Sequence, residues 1–166
     1  KPGVNVSETQ EHVVIIGGGF GGLWAARGLA SAPVRITLVD RSNHHLFQPL
    51  LYQVATAVLN PADISVPIRS LLRDQPNVTV VMADVDRIEP DTRRISLDAG
   101  TVEITFDYLV LATGARHGYF GNPEWEQHAP GLKSIEDALE MRRRFLLSFE
   151  AAERASAVGE RDALLT

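Results

Sequence analysis

The chain has 166 residues, long enough to bury one sizeable core. Hydrophobic residues make up 45% and charged residues 22%, and a formal net charge of −5 without a long basic block argues against a general nucleic-acid binder. No cysteine is present, which excludes a disulfide framework, a Cys-based zinc site and an active-site disulfide built from these residues.

Residues 1–11 are polar and lack an apolar signal-peptide core, so they read as a disordered lead-in. His12-Val13-Val14-Ile15-Ile16 is a continuous apolar run ending in glycines, the pattern of a buried parallel strand. Residues 23–31 follow as a short helix, with Pro33 beyond its end, and residues 34–40 (VRITLVD) form a second strand. Ser42-Asn43-His44-His45 is loop-like, and residues 50–59 predict an apolar helix broken by Asn60-Pro61. Ser65 is placed to cap another helix, with Pro67 in its first turn and Ile68, Leu71 and Leu72 on one face. A third strand covers residues 78–82.

Three short alternating segments come next, at 85–88, 94–97 and 102–106. Turns at Pro90-Asp91 and Asp98-Ala99-Gly100 separate them, which predicts an antiparallel meander. Residues 108–113 (YLVLAT) return to a buried strand. Gly121-Asn122-Pro123 and Ala129-Pro130-Gly131 bracket a loop before a long helix that starts at Ser134, with Asp137 completing a capping box. Arg142-Arg143-Arg144 lies within it and reads as a solvated face. Ala163-Leu164-Leu165-Thr166 suggests the opening of a new apolar strand.

The chemistry is concentrated in Gly17-Gly18-Gly19-Phe20-Gly21-Gly22, which satisfies G-x-G-x-x-G through Gly17, Gly19 and Gly22. The first glycine permits the tight strand-to-helix turn, the second lets main chain approach a pyrophosphate, and the third allows close helix–strand packing. Such a motif alone is weak. Here it follows a strand, opens a helix, and precedes Asp40 by about 20 residues at the end of the next strand, where a ribose hydroxyl would be bound. An acid at that position would repel a 2′-phosphate, so a nucleotide held there is not of the NADP type. The glycines by themselves do not separate FAD from NAD.

Two features favour FAD. A meander, rather than strand–helix–strand, leads into the last parallel strand, and that strand ends in Ala112-Thr113-Gly114. In glutathione-reductase-like flavoproteins a meander crossover and an "ATG" turn beside the flavin belong to the FAD domain. With the segment 44–58 (HHLFQPLLYQVATAV) the resemblance narrows. From about Val13 to Arg154 the chain resembles the N-terminal half of a type II NADH dehydrogenase, a single-subunit flavoprotein NADH:quinone oxidoreductase.

The resemblance implies a Rossmann-like α/β FAD-binding domain, here incomplete, with a parallel sheet and a three-stranded β-meander crossover. It places Gly17, Gly19, Phe20, Gly21 and Gly22 along the pyrophosphate, with Asp40 and Arg41 at the adenosine ribose. Phe47, Gln48, Pro49 and Leu50 would lie along the flavin, Val85 at the adenine, and Ala112, Thr113 and Gly114 back against the cofactor. Independently of that, Gln48 offers an amide and Pro49 stiffness, while the same segment also suits an amphipathic core helix. His44 and His45 do not suggest a metal site, because neighbouring residues point apart and no third ligand is spaced to join them. No residue is assigned a catalytic role.

A second glycine-rich turn for NADH is absent, so the resemblance implies an N-terminal portion of a longer enzyme. The expected division is 12–133 for the FAD-binding part, 134–158 for a connecting helix, and 159–166 for the start of an NADH-binding domain. The parent would take NADH as co-substrate and pass electrons to a quinone in a respiratory chain. It would sit in the cytoplasm, peripheral on the inner membrane face through a C-terminal region beyond these residues, with a homodimer compatible with the family. A stand-alone FAD- or NAD-binding module is the alternative. In an isolated portion, the apolar faces of 50–59 and 135–149 are expected to be left exposed.

Overall fold

Burial on both faces decides the fate of the first apolar run. In the computed structural model, which describes residues 10–166, it becomes the central strand of a parallel sheet. In chain order the elements are β1 (Glu11–Ile16), α1 (Phe20–Gly28), β2 (Val34–Asp40), β3 (His44–Leu46), α2 (Leu51–Ala55), β4 (Ser65–Pro67) and α3 (Ile68–Leu72). They continue as β5 (Val78–Met82), β6 (Val85–Glu89), β7 (Arg94–Leu97), β8 (Val102–Thr105), β9 (Tyr108–Leu111), α4 (Ile135–Arg154) and α5 (Val158–Leu165). Residues 1–9 of the expected lead-in lie outside the described part, and Glu11 already belongs to β1, paired with Val34.

The chain divides into two units. Among the described residues, the first holds 10–45 together with Val66–Gly114, and the second holds Leu46–Ser65 and Ala115–Thr166.

In the first unit the sheet order is β5-β2-β1-β9, and every described pairing in it is parallel. Side chains alternate across β1. Val13 and Ile15 join Leu23 and Ala26 of α1 and Ile68 and Leu72 of α3. Val14 and Ile16 face the other way, onto Ile95, Leu97 and Phe106. Helices thus cover one face and the meander covers the other, which is why β1 is apolar at every buried position but His12. The meander β6-β7-β8 is antiparallel, within one residue of its expected bounds.

In the second unit Leu51, Val54, Ala55 and Ile64 pack around Ala138 of α4. The helix start follows expectation: the Ser134 hydroxyl accepts from the Asp137 N–H at 3.1 Å, and the Asp137 carboxylate accepts from the Ser134 N–H at 2.9 Å. Arg142 does not belong to a solvated face. Its guanidinium donates to the Leu59 carbonyl at 3.1 Å, while Arg143 and Arg144 pair with Glu140. The apolar face of α2 is covered, against expectation, whereas Phe145, Leu146, Leu147 and Phe149 of α4 are exposed.

Other expectations give way to local chemistry. The first helix starts at Phe20 rather than residue 23, and its Gly22 lies against the Gly17 carbonyl and Ile15 at the end of β1. The helix expected at 50–59 is a 3-10 turn, Gln48–Leu50, followed by only five α-helical residues. It ends where Ala57 takes a φ of 65° and the N–H groups of Val58 and Leu59 both turn back to the Gln53 carbonyl. His44 and His45 are strand, not loop, laddered with β4. Ser65 caps nothing: its hydroxyl donates to the Pro61 carbonyl at 2.8 Å. Pro67 holds Val66 extended, and the helix begins only after it. The strand expected at 163–166 is instead the end of helix α5, in keeping with the high helix propensity of Ala-Leu-Leu.

His12 is buried in β1, with Nε2 at 2.8 Å from the Thr37 hydroxyl. Burial pushes its pKa below the ordinary imidazole value and the Arg35 charge adds to this, opposed by the Thr105 main chain and the Asp107 carboxylate. The unfolded chain therefore binds the proton more readily. The resulting stability is complete above about pH 6.5 and is lost as pH falls from there through the lowered folded value. Denaturant unfolding on both sides of about pH 6.5 should show this acid-side loss, and His12→Gln should flatten that part of the curve. Parallel curves for the two proteins would remove His12 as its source.

Candidate dinucleotide site

The glycine turn sits at the C-terminal end of β1, between β2 on one side and β9 on the other, the place where open α/β sheets bind ligands. Gly17 donates its N–H to the Val39 carbonyl at 2.8 Å, and Ala112 donates to the Ile16 carbonyl at 2.8 Å. Gly17 has a φ of +106°, and a Cβ there would collide with the Ala112 carbonyl. A Cβ on Gly22 would collide with the Gly17 carbonyl, and one on Gly18 with the Ile68 side chain. Packing against main chain demands glycine at 17 and 22, whereas at 18 the obstacle is the end of the Ile68 side chain.

Gly19 is different. A Cβ built on it meets no protein atom within 4 Å, and one on Gly21 meets only the Ala112 methyl at 3.6 Å. Gly19 is also the N-cap of α1, with no side-chain hydrogen bond, so the positive end of the helix dipole is left to face this open side. Main chain bare of side chains at a helix start is suited to a phosphate. The residues present therefore fit a pyrophosphate-bearing dinucleotide.

At the end of β2, Asp40 is half-buried. Its carboxylate accepts from the Gly18 N–H through Oδ2 and from the Ser42 N–H through Oδ1 at 2.6 Å. Each oxygen keeps a further lone pair for a hydroxyl donor. Arg41 beside it is exposed. Ala83 donates its N–H to the Asp40 carbonyl at 3.0 Å, so Val85, two residues on, starts the meander close to the same strand end. Val85 is half-buried and packs against the cluster that includes Val14, Ile16 and Val39. Thr113 and Gly114 are exposed just past Ala112, and Gly114 has a φ of +71°.

Gly17, Gly19, Gly21, Gly22, Asp40, Val85 and Ala112 are thus gathered at one end of the sheet. The segment 47–50 is organised within the second unit. Phe47 donates to the Ile64 carbonyl at 2.8 Å, Gln48 is half-buried, Pro49 is exposed, and Leu50 packs partly on the α2 core. Two residues at the glycine turn went unread in the sequence. Gly18 occupies a variable position of the motif, yet a Cβ there would press on the end of the buried Ile68 side chain. His45 is 8% exposed, with Nδ1 at 3.0 Å from the Gly18 carbonyl and its ring 4.9 Å from that of Phe20, at 85°. A buried histidine 27 residues from the glycines carries no local signal of that partnership.

Residues 11–159 match the family described as pyridine nucleotide-disulphide oxidoreductase. The chain belongs to this family. None of its 166 residues is a cysteine, so these residues supply no disulphide. It is 48% identical, over 95% of its length, to a type II NADH:quinone oxidoreductase, Ndh, of Mycobacterium tuberculosis, covering 34% of that protein. It therefore spans about a third of the length of the curated relatives it matches. Among solved structures it resembles the sulfide:quinone oxidoreductase of Aquifex aeolicus, with a TM-score of 0.75 and 31% identity, over 84% of this chain and 32% of that one. The fold also matches NDH2 of Plasmodium falciparum in complex with NADH, with a TM-score of 0.80 and 24% identity, over 92% and 32%.

The glycines divide into two experimental classes. Gly19→Val should leave the thermal midpoint near that of the parent while weakening the binding of an adenine dinucleotide at least tenfold. Gly22→Ala should destabilise the fold by about 1–3 kcal/mol, because its methyl would be driven into the Gly17 carbonyl. Thermal melts with and without FAD separate the two, and a Gly19→Val protein that binds FAD like the parent would remove Gly19 from the site.

Proposed function

We propose that this chain is the FAD-binding portion of a flavoprotein that carries electrons from NADH to a quinone. The observation that carries the reading is the convergence of Gly17, Gly22, Asp40 and Ala112 on one turn, with space left open at Gly19. The meander crossover favours FAD over NAD as the resident dinucleotide, and the M. tuberculosis relative supports NADH as donor and quinone as acceptor.

FAD, when bound, supplies the redox chemistry. The chain's own residues would hold and orient it. Gly19, Phe20, Gly21 and Gly22 would bring main chain to the pyrophosphate, and Asp40, with Arg41 beside it, would take the ribose hydroxyls. Val85 would border the adenine. Ala112, Thr113 and Gly114 would meet the cofactor again, and Phe47, Gln48, Pro49 and Leu50 would shield the flavin ring and offer it an amide. Residues 12–133 form the FAD-binding part in this reading and 134–158 a connecting segment, with 159–166 leading toward an NADH-binding domain. A peripheral place on the cytoplasmic membrane face, and a homodimer, belong to the same proposal. Among the described residues no helix is long and apolar enough to cross a membrane.

Two outcomes are expected. Asp40→Ala should weaken FAD binding by about 1.5–3 kcal/mol, the range for a lost hydrogen bond to a charged group, read as flavin fluorescence quenching in a titration. An unchanged dissociation constant would reduce Asp40 to a support of the turn. The full-length protein should oxidise NADH with a soluble quinone, whereas the 166-residue chain with added FAD should not, since hydride transfer needs the nicotinamide held against the flavin. Equal turnover per flavin from both would overturn the division of labour, and a full-length protein inert with NADH and quinone would favour a binding module.

A further inference from the structure

We infer that His45 is a positioning residue for the phosphate-binding turn: its ring holds the Gly18 carbonyl so that the Gly19 N–H is presented to a pyrophosphate. The inference rests on the dinucleotide reading above and extends it to a residue outside the glycine motif.

Gly17, Gly18 and Gly19 have no side chains to restrict φ and ψ, so only ties from elsewhere can fix the orientation of their peptide groups. Two such ties meet at Gly18. Asp40 accepts its N–H and so fixes the peptide preceding it. His45 lies 3.0 Å from its carbonyl and fixes the peptide following it. A carbonyl can only accept, so the Nδ1 of His45 carries the proton and donates.

The second peptide is the one that matters for a ligand. In a trans peptide the C=O and N–H point to opposite sides. The Gly18 carbonyl and the Gly19 N–H belong to the same unit, so drawing the oxygen toward His45 turns the Gly19 N–H away from the protein interior. Gly19 is also where a Cβ would meet no protein atom within 4 Å. The imidazole is itself held, buried at 8% exposure and set edge-to-face against Phe20, the first residue of α1. One buried donor therefore couples the start of the helix to the peptide that would face the phosphates.

The test uses the full-length protein with three probes: FAD, ADP and adenosine. His45→Leu removes the donor. It should weaken FAD and ADP about tenfold, the effect of one lost hydrogen bond, and leave adenosine unchanged, because only the first two carry a pyrophosphate. His45→Asn places an amide N–H near the Nδ1 position and should restore most of the affinity. His45→Gln, whose amide reaches the Nε2 position, should not. Loss of all three ligands in proportion, with a lowered melting temperature of the ligand-free protein, would make His45 a filler of the core and overturn the inference. Equal FAD and ADP affinity in all four proteins would do the same. Should His45→Leu fail to fold, the Asn–Gln comparison decides alone: indistinguishable pyrophosphate binding refutes the role. A parent protein that binds neither FAD nor ADP would instead bring down the dinucleotide reading, and this inference with it.

Discussion

The close approach of Gly22 to the carbonyl of Gly17, which leaves no space for a Cβ, sets how closely α1 can lie against β1. Any side chain at Gly22 would push the helix away from the strand. Leu23 and Ala26, buried in the cluster with Val13 and Ile15, would then lose their packing. The same approach brings the start of the helix to the end of the strand, where main-chain N–H groups and the helix dipole can act on an anion. In the proposed reading, stability and ligand chemistry share one constraint, which would divide the glycines between packing and phosphate access.

The parts of the molecule legible in the sequence are those where one residue type has one physical use. Gly17 needs a positive φ and Gly22 needs the absence of a Cβ, so a spacing rule locates both. The meander is legible because its strands alternate and its turns are rich in Asp, Gly and Pro. Elements whose bounds are set by contacts from elsewhere were less legible. Residues 50–59 are apolar enough for a longer helix, yet the chain turns at Ala57. Ser65 resembles a cap in a linear reading, but Pro67 keeps the preceding residues extended and its hydroxyl finds Pro61 instead. The last residues are short and apolar, and only their helical hydrogen bonding separates them from a strand.

The candidate site follows the same logic. Asp40 is recognisable because its distance from the glycines is regular. His45 is not, since it reaches Gly18 only after β2 has been laid beside β1 and the chain has turned back through β3. Arg142 is another such case: within a run of three arginines nothing distinguishes it, yet it alone of the three secures the Leu59 carbonyl. Polar residues that bind main chain across long sequence separations leave little periodic trace, and they do much to orient the segments they touch.

The place of β1 between β2 and β9 bears on how the domain assembles. β2 follows β1 within a few dozen residues, so their ladder can close early. The other edge of β1 waits for β9: the His12 N–H finds the Asp107 carboxylate 95 positions along the chain, and Val13 pairs with Tyr108. A ribosome-bound chain would carry an apolar strand with one open edge until the whole meander had emerged. Closing so long a loop is slow, and an uncovered strand edge invites pairing with other chains. The meander is therefore both the cover of one sheet face and the delay in completing the sheet. Shortening its turns would be expected to favour clean folding more than to alter the finished site.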